Sequence, residues 1–151
     1  MDTNSMLEVA IEFAIMAHSG QRDLVGEPYV LHPLRVMLQM PDPESKIVAV
    51  LHDVLEDGDF TRERLLQAGI GERLVAIVEM LTRRPDEKYP EYIERVAAHG
   101  WARAVKLADL NDNLDPNRIH ALYQSEKHSR RSIERRLAKY LKAWSALKEH
   151  E

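Results

Sequence analysis

The spacing of apolar residues most restricts the fold that this 151-residue chain can adopt. Near its start, Leu7, Ile11, Ala14 and His18 follow one another at steps of three or four residues, which places them on one face of a helix. Similar spacing continues through most of the chain, and no segment alternates apolar and polar residues over the length of a strand. The pattern therefore predicts an all-α protein.

Capping and turn residues divide this pattern into separate helices. Ser5 with Glu8 predicts a capping-box start for the first helix, and Gly20 predicts its end. Asp42 before Pro43 predicts another helix start, because aspartate caps a helix and proline fits its first turn. We expect a compact bundle of about seven or eight helices, in the first segment and at 33–40, from 42 onward, 61–68, 72–82, 89–98, 102–113 and 126–148.

The composition limits what such a bundle can do. Hydrophobic residues make up 44% and charged residues 30% of the chain, as in ordinary globular proteins, and residues 1–151 are expected to form a single domain. The chain has no cysteine, which excludes disulfides, thiolate metal sites and a cysteine nucleophile, and agrees with a reducing cytoplasm. We expect no signal peptide and no membrane span, since no apolar run approaches ~20 residues. A net charge of −4 argues against a protein that coats nucleic acid.

One short segment, AVLHDVLEDGDF, places ionisable residues directly after an apolar run. His52 and Asp53 come first, followed by Glu56 and Asp57. Residues 52 and 56, like 53 and 57, are four apart and would share a side if the helix continued. Buried ionisable groups are costly unless they are paired or bind a metal. The segment is therefore either a helix end exposed to solvent or part of a polar site.

Two other segments show polar residues in similar surroundings. In GEPYVLHP, His32 stands just before Pro33, where a helix begins. In VKLADLNDN, Lys106, Asp109 and Asn113 form one polar stripe on an otherwise apolar helix. A solvated helix face would explain the lysine and the asparagine, but Asp109 among apolar neighbours points to a site.

The segments GEPYVLHP, LHDVLED and VKLADLNDN, in this order, resemble the motifs of the HD-domain metal-dependent phosphohydrolases. More narrowly, they are similar to the (p)ppGpp hydrolase domain of RelA/SpoT-type enzymes and to small single-domain alarmone hydrolases. The likeness extends from AIMAHSGQ to Asn113. It implies a single HD-type helical domain that hydrolyses a nucleotide phosphate or pyrophosphate ester, with the 3′-pyrophosphate of (p)ppGpp as the leading substrate.

Carried over by position, the resemblance makes His32, His52, Asp53 and Asp109 the ligands of one divalent metal ion. Two imidazoles and two carboxylates suit Mn²⁺, which we expect, or Fe²⁺, Co²⁺ or another divalent ion. His99 is the only histidine between the doublet and the last aspartate, which favours one metal over two.

The same match gives roles to further residues. Glu56 and Asp57 correspond to the pair that serves catalysis in the alarmone hydrolases, where a carboxylate orients or deprotonates the attacking water. Lys106 and Asn113 are expected to contact the substrate phosphate and ribose. Arg22 is expected to stack on the base.

The chain departs from the family where the base should bind. The basic pair that usually grips the guanine shortly before GEPY is replaced by Asp23 and Leu24. The usual DRLHN motif at the last aspartate reads DLNDN here. The alternatives are therefore an HD-family nucleotide monophosphatase of different specificity, or a non-catalytic nucleotide-sensing HD domain. We expect a small-molecule nucleotide as partner in the cytoplasm, without nucleic acid or membrane, and leave a homo-oligomer open.

Overall fold

The computed structural model describes residues 1–56 and 59–151. These residues contain nine α-helices and no strand beyond one isolated bridge between Arg22 and Pro28. The helices are α1 (Thr3–Ala17), α2 (Leu31–Leu38), α3 (Pro43–Leu51), α4 (Arg62–Gln67), α5 (Glu72–Met80), α6 (Tyr89–Ala97), α7 (Gly100–Asn113), α8 (Pro116–Gln124) and α9 (Arg130–Lys148). The all-α prediction is confirmed. No helix in the described ranges is long and apolar enough to cross a membrane.

Short polar side chains begin several of these helices. Asp42 accepts a hydrogen bond of 2.9 Å from the backbone N–H of Ser45, with Pro43 in the first turn, so the predicted start of α3 is confirmed. The predicted start of α1 is wrong. Its cap is Asp2, which accepts from the backbone N–H of Ser5, so the cap lies three residues before the expected one.

Helix α3 forms the centre of the bundle. It packs against α1, α2, α5 and α7, and its residues Ile47 to Leu51 are fully buried. Burying one such aliphatic side chain contributes about 1.5–3 kcal/mol. This apolar helix therefore fixes the position of whatever follows it, which is His52 and Asp53.

Helix α9 closes the opposite side of the molecule. It packs against α6, α7 and α8, and its own residues Ile133, Ala143 and Leu147 are buried. Helix α8 was not predicted as a separate element; it begins after its cap, Asp115, with Pro116 in the first turn. Residues of α8 and α9 line a cavity together with residues of α2 and α7.

Candidate active site

Four side chains from three helices meet at one point. His32 lies in the first turn of α2, His52 and Asp53 directly follow α3, and Asp109 lies in α7. The Nε2 atom of His32 is 2.9 Å from Oδ1 of Asp109 and 4.0 Å from Oδ2 of Asp53. The Nε2 atom of His52 is 3.1 Å from Oδ2 of Asp53 and 3.7 Å from Oδ1 of Asp109. The residues predicted as ligands therefore lie together.

These distances fit a shared cation. Atoms that each lie about 2.1 Å from one ion are no more than about 4.2 Å apart, and all four distances meet this limit. His32, His52 and Asp109 are buried and offer ligand atoms within 4.8 Å of one another. The donor set contains only nitrogen and oxygen, which suits a divalent ion such as Mn²⁺ or Fe²⁺.

The ring of His52 supports the fit independently. Its Nδ1 lies 2.7 Å from the carbonyl oxygen of Ala49, which can only accept, so Nδ1 carries the hydrogen. Its Nε2 is buried and makes no hydrogen bond of acceptable geometry within the described residues. Nε2 thus presents a lone pair to the cluster, as a metal ligand must.

His32 is oriented in the same way by a carboxylate that the sequence did not reveal. Its Nδ1 is 2.6 Å from Oδ2 of Asp112, a buried residue of α7. Arg35 and Arg118 also donate to this carboxylate. Although burial alone would raise the pKa of Asp112, His32 and the two guanidinium groups lower it to about 2. Asp112 is therefore an anion that accepts the Nδ1 hydrogen and leaves Nε2 facing the cluster.

The predicted polar stripe on α7 is a hydrogen-bonded unit. Lys106 donates to Oδ2 of Asp109 at 2.6 Å, and Asn113 donates to Oδ1 of Asp109 at 3.2 Å. Burial alone would raise the pKa of Asp109, but the Lys106 ammonium beside it holds this pKa well below its usual range. The carboxylate of Asp109 is therefore ionised and available to a cation.

Asp53 has its own partner in Tyr29, the tyrosine of the GEPY segment. The Tyr29 hydroxyl donates a hydrogen bond to Oδ2 of Asp53, and the ring packs between His18 and His32. Burial and the Asp53 charge raise the pKa of Tyr29, so the hydroxyl keeps its hydrogen. The sequence places this tyrosine in the GEPY segment, but its role was not predicted.

The ligand cluster lies at the wall of a cavity of about 550 Å³. Lys106 and Asn113 also line it, as does Arg22. Two further arginines, Arg118 from α8 and Arg136 from α9, add positive charge. Apolar residues also line the cavity: Leu24, Val25, Ile119, Ala121, Leu122 and Leu137. The cavity thus combines cationic groups for phosphates with an apolar surface for a base or sugar.

The predicted catalytic carboxylates lie beyond the end of α3. Because α3 ends at Leu51 and turns follow it, the prediction that His52 and Glu56 share a helix side is wrong: His52 is buried and Glu56 exposed. Glu56 accepts a hydrogen bond of 3.4 Å from the backbone N–H of Arg83. Partial burial and the nearby Asp53 charge raise the pKa of Glu56. Asp57 lies outside the described residues.

Two other residues considered from the sequence, Arg22 and His99, lie in different parts of the structure. Arg22 is exposed and reaches the cavity, where a base could contact it. His99 begins α7, where its Nδ1 accepts a hydrogen bond from the backbone N–H of Ala102. His99 therefore has a capping role at the start of α7.

Comparison with known proteins identifies relatives with two names, a pyrophosphohydrolase and a pyrophosphokinase. No family model matches the chain. The guanosine-3′,5′-bis(diphosphate) 3′-pyrophosphohydrolase of Aquifex aeolicus is 34% identical over 159 aligned positions, covering 96% of this chain and 23% of the relative. The enzyme of the same name from Vibrio cholerae is 36% identical, covering 64% of this chain and 14% of the relative. The GTP pyrophosphokinase of Streptomyces coelicolor is 27% identical, covering 87% of this chain and 17% of the relative.

A solved structure shares the fold. It is that of a metazoan orthologue of SpoT described as hydrolysing ppGpp, with a TM-score of 0.77 and 23% identity, covering 95% of this chain and 85% of that one. The chain spans less than a quarter of the length of the three relatives described above. Sequence likeness over nearly the whole chain, the shared fold and the assembled cluster agree. Together they support a hydrolase domain of the RelA/SpoT type.

Proposed function

We propose that the chain is a divalent-metal-dependent phosphohydrolase that removes the 3′-pyrophosphate of a (p)ppGpp-type nucleotide. The observation that carries this proposal is the meeting of His32, His52, Asp53 and Asp109 beside a cationic cavity. The printed activity of the Aquifex aeolicus and Vibrio cholerae relatives supports the choice of substrate.

The four clustered side chains would hold the cation, with Mn²⁺ as the proposed ion. When bound, the ion supplies Lewis-acid polarisation of a phosphoryl oxygen. The protein supplies fixed geometry: Ala49 and Asp112 each accept a ring hydrogen from a histidine, so both imidazoles are oriented before any ion arrives.

Glu56 and Asp57 are proposed to manage the attacking water. The water oxygen attacks the phosphorus bonded to the ribose 3′-oxygen, and the bond between that phosphorus and the 3′-oxygen breaks. Pyrophosphate is released, and the ribose retains a 3′-hydroxyl group. A carboxylate that takes the proton of the water works best when its pKa lies near the working pH. The raised pKa of Glu56 is a change in that direction.

Lys106, Asn113 and Arg22 are proposed to hold the substrate. The Lys106 ammonium has three donors, of which the described contacts use one on Asp109, so others remain for a phosphate. Asn113 uses one amide hydrogen on Asp109 and has a second for a ribose hydroxyl. Arg22 is exposed at the cavity and can stack on a base. A nucleotide substrate also underlies our proposal of a cytoplasmic location.

The deciding experiment is a substrate panel with purified, chelator-treated protein. Mn²⁺ is added, and pyrophosphate and phosphate release are followed from ppGpp, its adenosine counterpart and simple nucleoside monophosphates. We expect pyrophosphate release from the nucleotides that carry a 3′-pyrophosphate. The Asp53→Ala variant should lose both turnover and Mn²⁺ binding. Asn111→Ala, on the exposed side of α7, serves as the control that should keep both.

Other outcomes would redirect the proposal. Phosphate release from monophosphates alone would make the chain a nucleotide monophosphatase. Mn²⁺ binding without turnover of any panel member would leave a nucleotide-sensing domain. Activity that survives Asp53→Ala would overturn the ligand assignment.

A further inference from the structure

The loop before α2 is closed on a single carboxylate. Oδ1 of Asp23 accepts hydrogen bonds from the backbone N–H groups of Val25 and Glu27, at 3.0 and 2.9 Å. The backbone N–H of Asp23 donates to the carbonyl of Glu27 at 2.8 Å. The Asp23 side chain is only 6% exposed, although it lies in a surface loop. Asp23 therefore determines the shape of residues 23–27, which present Leu24 and Val25 to the cavity.

A second carboxylate, Asp112, holds a proposed metal ligand, His32. Its Oδ2 is 2.6 Å from Nδ1 of His32, and its Oδ1 accepts from Nε of Arg35 at 2.8 Å. Asp112 stands in the DLNDN segment, where the family usually has a histidine. Its side chain is also only 6% exposed.

One side chain of α8 reaches both carboxylates. Arg118 donates from Nη1 to Oδ2 of Asp112 at 2.7 Å, and its Nη2 lies 3.6 Å from Oδ2 of Asp23. Nη1 also contacts the backbone carbonyl of Asp112 at 3.2 Å and Oδ1 of Asn113 at 3.4 Å. The side chain is 27% exposed and lines the cavity. A planar guanidinium with fixed N–H directions can join two anions in this way, whereas an ammonium cannot.

We infer that Arg118 is a positioning residue that joins the metal cluster to the substrate loop. Through Asp112 it orients His32, and through Asp23 it holds residues 23–27 against the cavity. Asp23 and Asp112 both stand where the chain departs from the family pattern, and Arg118 gives these two departures one structural reason. The inference rests on the proposed function for its relevance to catalysis, but the arrangement itself can be tested without turnover.

The test measures two quantities on each variant. The first is the dissociation constant for Mn²⁺ of the chelator-treated protein, from calorimetric titration. The second is amide hydrogen exchange at Val25 and Glu27, which reports whether the loop stays closed on Asp23. Neither needs a substrate, so loss of the link is distinguishable from failure of the phosphohydrolase proposal.

The variants separate the two branches of the link. Asp112→Asn should weaken Mn²⁺ binding by about 10–100-fold, as the loss of outer partners of metal ligands usually does, without changing loop exchange. Asp23→Asn keeps an acceptor for the loop but loses its attraction to Arg118. It should speed exchange by about 5-fold, the equivalent of one partly exposed ion pair, and leave Mn²⁺ binding unchanged.

Arg118→Met should show both effects. Its Mn²⁺ affinity should fall by about 10-fold, the low end of the range, because Arg35 still holds Asp112. Loop exchange should rise by about 5-fold, and adding Asp23→Asn should raise it no further. Arg118→Lys keeps the positive charge but not the planar fork of the guanidinium. It should therefore restore at most one of two properties, the wild-type Mn²⁺ affinity or the wild-type loop exchange.

Arg95→Met is the matched control. Arg95 is similarly covered, at 21% exposed, and it bonds Glu87 and two backbone carbonyls away from the ligand cluster. This variant should lose stability but keep both Mn²⁺ affinity and loop exchange. Wild-type Mn²⁺ affinity in Arg118→Met, or unchanged exchange at Val25 and Glu27, would overturn the inference.

Discussion

Asp109→Ala is the substitution that tests the geometry of the cluster most directly. The side chain is 6% exposed, and its carboxylate contacts four groups. Lys106 lies at 2.6 Å, Asn113 at 3.2 Å, and Nε2 atoms of His32 and His52 at 2.9 and 3.7 Å. Alanine removes the carboxylate that joins these four groups, and leaves the Lys106 ammonium and two imidazoles beside a smaller side chain.

The expected loss of stability without metal is about 3 kcal/mol. Removing one partner of a buried ion pair costs about 3–5 kcal/mol, because the other charge stays buried and unpaired. We take the lower end, since Lys106 is 13% exposed at the cavity and can turn toward water. For a domain of this size, the midpoint of thermal unfolding should fall by about 6–12 °C.

Two measurements check this prediction. Urea unfolding with a chelator gives the free energy of unfolding of both proteins, and thermal unfolding with Mn²⁺ tests the ion. At a free concentration 100 times its dissociation constant, the ion should stabilise the wild type by about 2.7 kcal/mol and the variant not at all. Asn111→Ala in the same helix should lose about 1 kcal/mol or less and keep the Mn²⁺ effect. A loss below 1 kcal/mol in Asp109→Ala, or a retained Mn²⁺ effect, would refute the arrangement.

Three further predictions concern the support of the site. Tyr29→Phe removes the donor to Asp53 and should weaken Mn²⁺ binding by about 10-fold in calorimetry, and unchanged affinity would deny the tyrosine a positioning role. The Arg95 guanidinium lowers the pKa of Glu87 to about 2 from an ordinary 4.5, so the stability it provides is present above pH 4.5 and lost as the pH falls through 2. Glu87→Gln should therefore cost about 1 kcal/mol in urea unfolding at pH 7, and a difference that did not shrink toward pH 2 would contradict the pairing. Leu147→Ala, at a fully buried position of α9, should cost about 2–5 kcal/mol in the same assay, and a loss under 1 kcal/mol would mean that α9 is not anchored there.

Local signals predicted most of the helices because caps act over three or four residues. Asp42 with Pro43 is such a signal, and α3 begins where it predicts. The first helix shows the limit of the same signal. Asp2 and Ser5 are both good capping residues, and the pair that the sequence favoured lies one turn inside the helix. Choosing between them depends on which backbone N–H groups remain without a partner, which the sequence does not state.

The end of α3 could not be predicted from periodicity. Apolar residues continue through Val54 and Leu55, so the pattern suggests that the helix goes on. In the structure, α3 ends at Leu51, and the following turns place His52 inside the cluster and Glu56 at the surface. A site that needs two adjacent side chains to point at one ion favours a turn over a helix, because helical neighbours diverge by ~100°.

The residues proposed as ligands could be named from the sequence, but the residues that hold them in place could not. His32, His52, Asp53 and Asp109 came from a resemblance between ordered motifs. The partner of His32, Asp112, is eighty residues away in sequence and has only its place in α7 as a local sign. Tyr29 and Arg118 likewise contact residues that are distant in sequence, Asp53 and Asp23. Short motifs retain the residues that bind an ion, whereas the residues that orient them depend on how the helices meet.

The four proposed ligands are stabilised from two sides. Each proposed ligand already has a protein partner on one side: Ala49 for His52, Asp112 for His32, Tyr29 for Asp53 and Lys106 for Asp109. Their remaining lone pairs face one another, and this is the part of the burial cost that a cation offsets. Since the partners do not depend on the ion, metal binding should stabilise a site that is already formed. Amide exchange in α3 and α7 should therefore slow uniformly on adding Mn²⁺, and new protection confined to the cluster would instead show that the ion builds the site.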